Sequence, residues 1–200
     1  MSDTKYFDLN LTATTKKLYD FLKMTCLTHG SYLNPVKVGP FVHGWTDNTY
    51  NINGHDVPSI DESMPIIDTS YDAIRWSVQE TEWIKYDPRI GIPQLQYIEI
   101  VNLNPFGQNG ITYDQPMSWW DWKGYFLQDE PNVYNVSPNG RLFIAPEKNG
   151  DTSQISVLIA DDGRNNGIYA GFNIAFLLPV DGVNYCCIVD PVINVRPKDN

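Results

Sequence analysis

Cysteine is scarce in this chain, and its arrangement excludes most cysteine chemistry. Cys26, Cys186 and Cys187 are odd in number and fit no zinc-ligand spacing. Neighbours Cys186 and Cys187 point to opposite faces of a strand, which is poor geometry for a bridge between them. The expectation is a reduced, cytoplasmic chain with no metal and no cofactor. Histidine is as sparse: His29, His43 and His55 stand too far apart for an i, i+4 metal pair. No G-x-S-x-G is present, and His29-Gly30-Ser31 lacks a strand–turn–helix setting for a nucleophile. Long apolar runs are missing too. None approaches the roughly 18 residues of a membrane span, and Met1 to Asp8 has no apolar segment of a secretory signal.

Positive charge is the last shortage. Fourteen Lys and Arg face 24 Asp and Glu, for a formal charge of −10. Such a field repels nucleic-acid phosphates and anionic lipids, and Lys16-Lys17 with Lys23 is too small a cluster to override it. Neither nucleic acid nor membrane is expected as a partner. Self-association is physically easier, because net charge falls toward zero near an acidic pI.

What the chain does hold is turns and aromatics. Hydrophobic residues make up 42% and aromatics 13%, with 14 Gly and 14 Pro. That composition describes a globular chain rich in short strands. The 200 residues are read as a single β-sandwich domain, 1–200.

The closing segment, Gly171 to Arg196, carries the strongest local signal. Two apolar runs flank Asp181-Gly182, a pair suited to a type I′ turn because both central residues need positive φ. Phe172, Ile174, Phe176 and Leu178 share one face, with Ala175 and Leu177 on the other. A strand apolar on both faces belongs inside a sandwich or barrel. Elsewhere Tyr6 to Leu11 alternates as an opening strand. Thr14 or Thr15 caps a helix that carries Leu18, Phe21 and Leu22 on one face. Ile74, Trp76 and Val78 alternate with Arg75, Ser77 and Gln79. Leu95, Tyr97, Glu99 and Val101 are set opposite Gln96, Ile98 and Ile100. Short strands are also expected at Phe41 to His43, Tyr50 to Ile52, Leu142 to Ala145 and Ile155 to Ala160. Turns are expected at Asn53-Gly54, Asn139-Gly140 and Asn149-Gly150. The predicted fold is mainly β: an antiparallel β-sandwich, jelly-roll-like, with one short N-terminal helix.

Candidate chemistry is thin. Glu80 and Glu82 share a strand face and read as solvated. The loop Asp161-Asp162-Gly163-Arg164-Asn165-Asn166-Gly167 has oxygens that suit a hard cation or a polar ligand, without EF-hand spacing. Asx residues and glycine also serve turns in their own right. Ser118-Trp119-Trp120-Asp121-Trp122 is the densest aromatic patch; as a strand it sets Trp120 and Trp122 on one face and Trp119 on the other. Buried, these rings are core; exposed, they stack on sugars or form a self-association surface. The candidate ligand-binding residues are therefore Trp119, Trp120, Trp122, Asp161, Asp162, Asn165 and Asn166. No catalytic residue and no metal ligand is proposed.

The closing hairpin, the Ile74-Arg75-Trp76 strand, the run Tyr97-Ile98-Glu99-Ile100-Val101 and the stretch Asn109 to Pro116 together resemble the inclusion-body family of PixA and AidA. In that family the chain ends in a hairpin running into an Asp-Pro-x-Ile motif, here Asp190-Pro191-Val192-Ile193. The resemblance covers residues 66 to 196. Two departures stand out: Val189 replaces an aromatic before the Asp-Pro, and Asn184-Tyr185-Cys186-Cys187 replaces a Gly-Tyr-Tyr or Gly-Tyr-Phe approach. The resemblance implies a bacterial, non-enzymatic β-sandwich that assembles with itself into intracellular crystalline inclusions. It brings no active-site residues. The alternative is a carbohydrate-binding module or lectin, with a glycan as partner at the tryptophans and the Asp161 to Gly167 loop.

Overall fold

The computed structural model describes residues 4–24, 28–52, 55–59, 66–67, 71–78, 87–102, 116–160, 168–189 and 192–195. Outside them lie the Asn53-Gly54 turn, Glu80 and Glu82, Cys26, all of the Asn109 to Pro116 stretch but Pro116, the Asp161 to Gly167 loop and Asp190-Pro191. In chain order the elements are β1 (Tyr6–Ala13), α1 (Thr15–Met24), β2 (Val36–Lys37), β3 (Val42–Ile52), β4 (His55–Ser59) and β5 (Ile66–Ile67). Next come β6 (Ala73–Val78), β7 (Gln94–Asn102), α2 (Trp119–Tyr125), β8 (Phe126–Gln128) and β9 (Val133–Val136). The chain closes with β10 (Leu142–Ala145), β11 (Gln154–Ile159), β12 (Ile168–Val180), β13 (Val183–Val189) and β14 (Val192–Val195).

Two sheets enclose one continuous apolar core. One runs β4-β3-β1-β6-β11-β8; the other runs β2-β13-β12-β7-β10-β9, with β14 and β5 extending it beside β12. The mainly β sandwich matches expectation, but the sheets are mixed rather than antiparallel throughout. β1 lies parallel to β6, β13 parallel to β2, and β14 parallel to β5. A parallel neighbour needs a long crossover, and here α1 with β2 to β5 lies between β1 and β6 in the chain.

β12 is interior, hydrogen-bonded to β13 on one side and β7 on the other. Phe172, Ile174, Phe176 and Leu178 are all buried in the core, and Ala175 is buried on the opposite face. The turn has the expected backbone: Asp181 has φ 50° and Gly182 φ 77°. Cys187 is buried in the core while Cys186 is half-buried.

The alternation expected in β7 fails at one place. Tyr97 pairs with Ala175 and Leu95 with Phe176, so Gln96 is an extra residue, a bulge. The bulge turns Leu95 onto the same side as Ile98 and Ile100, and all three are buried. Tyr97 and Glu99 are left half-buried on the outer face. Val42 to Ile52 forms one strand rather than two, with a register shift against β4 between Trp45 and Tyr50.

In α1 the Thr14 carbonyl accepts from the Leu18 N–H at 3.0 Å, which sets the start of the helix. Leu18 and Leu22 are buried, and Phe21 packs on Phe41 at 4.8 Å between ring centroids. The Thr15 hydroxyl is buried without a hydrogen-bond partner among the described residues.

Candidate functional site

The aromatic patch forms a helix, not a strand. Ser118 is the N-cap: its hydroxyl accepts from the Asp121 N–H at 3.3 Å, and the Asp121 carboxylate accepts from the Ser118 N–H at 2.9 Å. This reciprocal box satisfies two N–H groups that a helix start leaves open, and it outweighs the strand preference of tryptophan. The hydrogen bonds from the Ser118 hydroxyl and backbone hold the Asp121 carboxyl below the usual carboxylate range.

Helical rather than strand spacing redistributes the three indoles. Trp122 is fully buried, donates its Nε1–H to the Gly140 carbonyl at 2.8 Å and packs on Phe126. It is core, which removes it from any surface platform. Trp119 is 37% exposed and meets the Tyr134 ring edge-on at 4.9 Å. Trp120 is 78% exposed. Lys123, one turn on, places Nζ 5.0 Å from the Trp119 ring and 5.4 Å from that of Trp120. Two short edge strands lie beside this helix: β8 continues it, and the Tyr134 hydroxyl of β9 donates to the Phe126 carbonyl at 3.0 Å. Burial pushes that hydroxyl's pKa up.

The other candidate ligand residues, Asp161, Asp162, Asn165 and Asn166, lie outside the described residues. So do the side chains of His43 and His55. His29 is described, edge-on to Tyr185 at 4.8 Å. Among the described residues no group of three or more His, Cys, Asp or Glu is placed to hold a metal ion, and no helix is long and apolar enough to cross a membrane.

A second feature was not visible in the sequence. On the outer face of the six-stranded sheet, a polar cavity of about 130 Å³ is lined by Tyr6, Arg75, Asn132, Gln154 and Ser156, among others. It gathers β1, β6, β11 and two loops, so its members are scattered along the chain. Arg75 donates Nε–H to Asp8 at 2.6 Å and lies over the Tyr6 ring at 4.5 Å. The Tyr6 hydroxyl donates to Asp129 at 3.1 Å. Burial, then the Asp129 charge, raises the Tyr6 pKa.

No family model matches the sequence, and no curated protein matches it. Among solved structures, the chain is similar to an inclusion body protein (PixA) from Burkholderia cenocepacia J2315. The likeness covers 96% of each chain, at 5% identity and a TM-score of 0.44. That protein carries the family name that the Ile74-Arg75-Trp76 strand and the closing hairpin resemble.

Proposed function

We propose that this chain is a non-enzymatic bacterial protein that assembles with itself into dense intracellular inclusions. The observation that carries the reading is Trp120, which stands 78% exposed on a capped helix while Trp122, two residues on, is fully buried. An exposed, rigidly mounted indole is an anchor: it offers on the order of 200 Å² of contact area at little conformational cost. Trp119 and the exposed Val133 and Leu127 extend the apolar area available on the neighbouring elements. The edge strands β8 and β9 are only three and four residues long. Short edges disfavour runaway strand pairing, so side-chain contacts are the route to ordered packing. Repetition of one contact without ring closure builds a lattice.

Electron microscopy of expressing cells, with powder diffraction of the pelleted particles, tests the reading. Ordered intracellular particles are expected, and Trp120→Ala should raise the protein concentration at which they form. A chain that stays monomeric at high concentration near its pI sinks the proposal.

The exposure of Trp119 and Trp120 also favours a second reading, a carbohydrate-binding surface on these two rings, with the Asp161 to Gly167 loop, outside the described residues, as the other candidate element. A glycan array with Trp120→Ala and Asp162→Ala controls decides it. Absence of binding with and without calcium rules it out.

A further inference from the structure

The cavity beside Arg75 holds polar groups that the protein itself does not satisfy. Asn132 is only 6% exposed. Its Nδ2 donates to the Asp129 carbonyl at 3.0 Å and to the Ser156 hydroxyl at 3.1 Å. Its Oδ1 accepts no hydrogen bond among the described residues, yet it is not sealed from solvent, because the side chain lines the cavity. A polar atom on so deeply buried a side chain ordinarily has a partner. Around it, the Ser156 hydroxyl oxygen accepts from Asn132, and its O–H has no acceptor among the described residues. Arg75 commits Nε to Asp8 and leaves its two Nη groups without a partner among the described residues. Gln154 adds an amide that both donates and accepts.

This mixture defines the ligand chemistry. An anion brings acceptors only, and it would meet Asp129, Glu130, Glu147 and Asp151 around the same cavity. An ammonium brings donors only and leaves the Ser156 and Arg75 donors unmatched. A hydroxyl donates and accepts at once, so adjacent hydroxyls can satisfy Asn132 Oδ1 together with Ser156, Arg75 and Gln154. Pro131, Pro146 and the Tyr6 ring supply apolar walls for the C–H faces of such a molecule. The volume of about 130 Å³ equals that of about four liquid waters, enough for a small polyol or part of one sugar ring. We propose that this cavity binds the neighbouring hydroxyls of a neutral polyhydroxylated molecule, one pyranose ring at most. The site is separate from the tryptophan helix and independent of self-assembly.

Saturation-transfer NMR on the full chain tests it, with glycerol and the methyl glycosides of glucose, galactose and mannose as probes and inorganic phosphate and spermidine as controls. Transfer to at least one hydroxylated probe is expected, with affinity about tenfold weaker in Gln154→Ala, the loss of roughly one hydrogen bond to the ligand. Arg75→Lys, which keeps the charge but not the forked donors, should weaken it as well. Melting temperatures of both variants serve as the folding control. Binding that survives Gln154→Ala and Arg75→Lys but disappears in Trp120→Ala would place the sugar on the helix and overturn the proposal. Preferential transfer to phosphate or spermidine, or none to any hydroxylated probe, overturns it too.

Discussion

The Tyr19 hydroxyl donates to Oδ2 of Asp181 at 2.8 Å, hooking α1 to the tip of the closing hairpin. Lys23, one turn further along the helix, reaches the same oxygen at 3.3 Å. The Arg89 guanidinium lies 3.6 Å from the Tyr19 ring centroid and grips the buried Asp87 carboxylate through Nε and Nη2 at 2.8 and 2.6 Å. The Arg89 carbonyl also accepts from the Asp181 N–H at 3.0 Å. Helix, hairpin turn and the segment before β7 thus meet at one polar clasp.

The clasp gives stability an acid limb. The Tyr19 hydrogen bond holds the Asp181 carboxyl below its ordinary range, and Arg89 does the same for Asp87. A carboxyl depressed in the folded state contributes fully above the ordinary range, about pH 4, and its contribution is lost as pH falls through the depressed value. Urea midpoints at about pH 6 and about pH 3 should therefore fall less for Asp87→Asn and Asp181→Asn than for wild type. Identical acid slopes in all three proteins would clear these two carboxylates of any part in the acid response.

Two glycines should respond differently to a side chain. Gly182 sits at φ 77° with open space around the position of a Cβ, so Gly182→Val meets only backbone strain, about 1 kcal/mol. Gly30, at φ 72°, would bring a Cβ to 2.7 Å from the Cys186 carbonyl oxygen, an atom fixed in β13. Gly30→Ala should cost about 2 kcal/mol or more. Thermal melts that rank the two the other way, or a Gly182→Val protein that melts like wild type, would contradict the turn geometry described.

The three indoles of the helix segment should separate cleanly. Trp122→Ala empties a core position and is expected to cost about 3–5 kcal/mol in urea denaturation. Trp122→Phe keeps most of the volume but removes the indole bond to the Gly140 carbonyl, which keeps only the Met117 N–H, a loss of about 1 kcal/mol. Trp120→Ala should stay within about 0.5 kcal/mol of wild type, because the ring is in water. Sedimentation velocity at rising concentration should then show Trp120→Ala associating least, and equal association by both proteins would remove Trp120 as the contact.

On the outer face of the eight-stranded sheet, Glu99 accepts from Arg141 at 3.0 Å and from Asn173 at 2.5 Å. The Glu99 side chain is only 12% exposed, so Arg141→Met leaves a carboxylate short of its charged partner. The expected loss is about 2 kcal/mol, the usual scale for a hydrogen bond to a charged group. A double-mutant cycle with Glu99→Gln measures the pair directly, and a coupling near zero would mean that the contact is decorative.

Sequence alone determined whatever is set by neighbours along the chain. The Asp181-Gly182 turn, the buried face of β12, the alternation of Ile74, Trp76 and Val78, and the apolar stripe of α1 all follow from periods of 2 and 3.6 and from the φ that glycine permits. The opposed faces of Cys186 and Cys187 follow in the same way. Tertiary structure decided the rest. The parallel pairing of β1 with β6 depends on where a long crossover returns, which no local pattern encodes. The bulge at Gln96 was chosen by the match between β7 and β12, and it reversed the expected face of Leu95 relative to Tyr97. In Ser118 to Trp122 the local signals conflicted: aromatic residues favoured a strand, and the Ser118–Asp121 box with the bond from Trp122 to Gly140 settled a helix. The cavity at Arg75, Asn132 and Ser156 had no signal along the chain. Its members become neighbours only when β6 and β11 pair and the loop after β8 folds against them, and a free acceptor on Asn132 exists only once Asp129 and Ser156 have taken its donors.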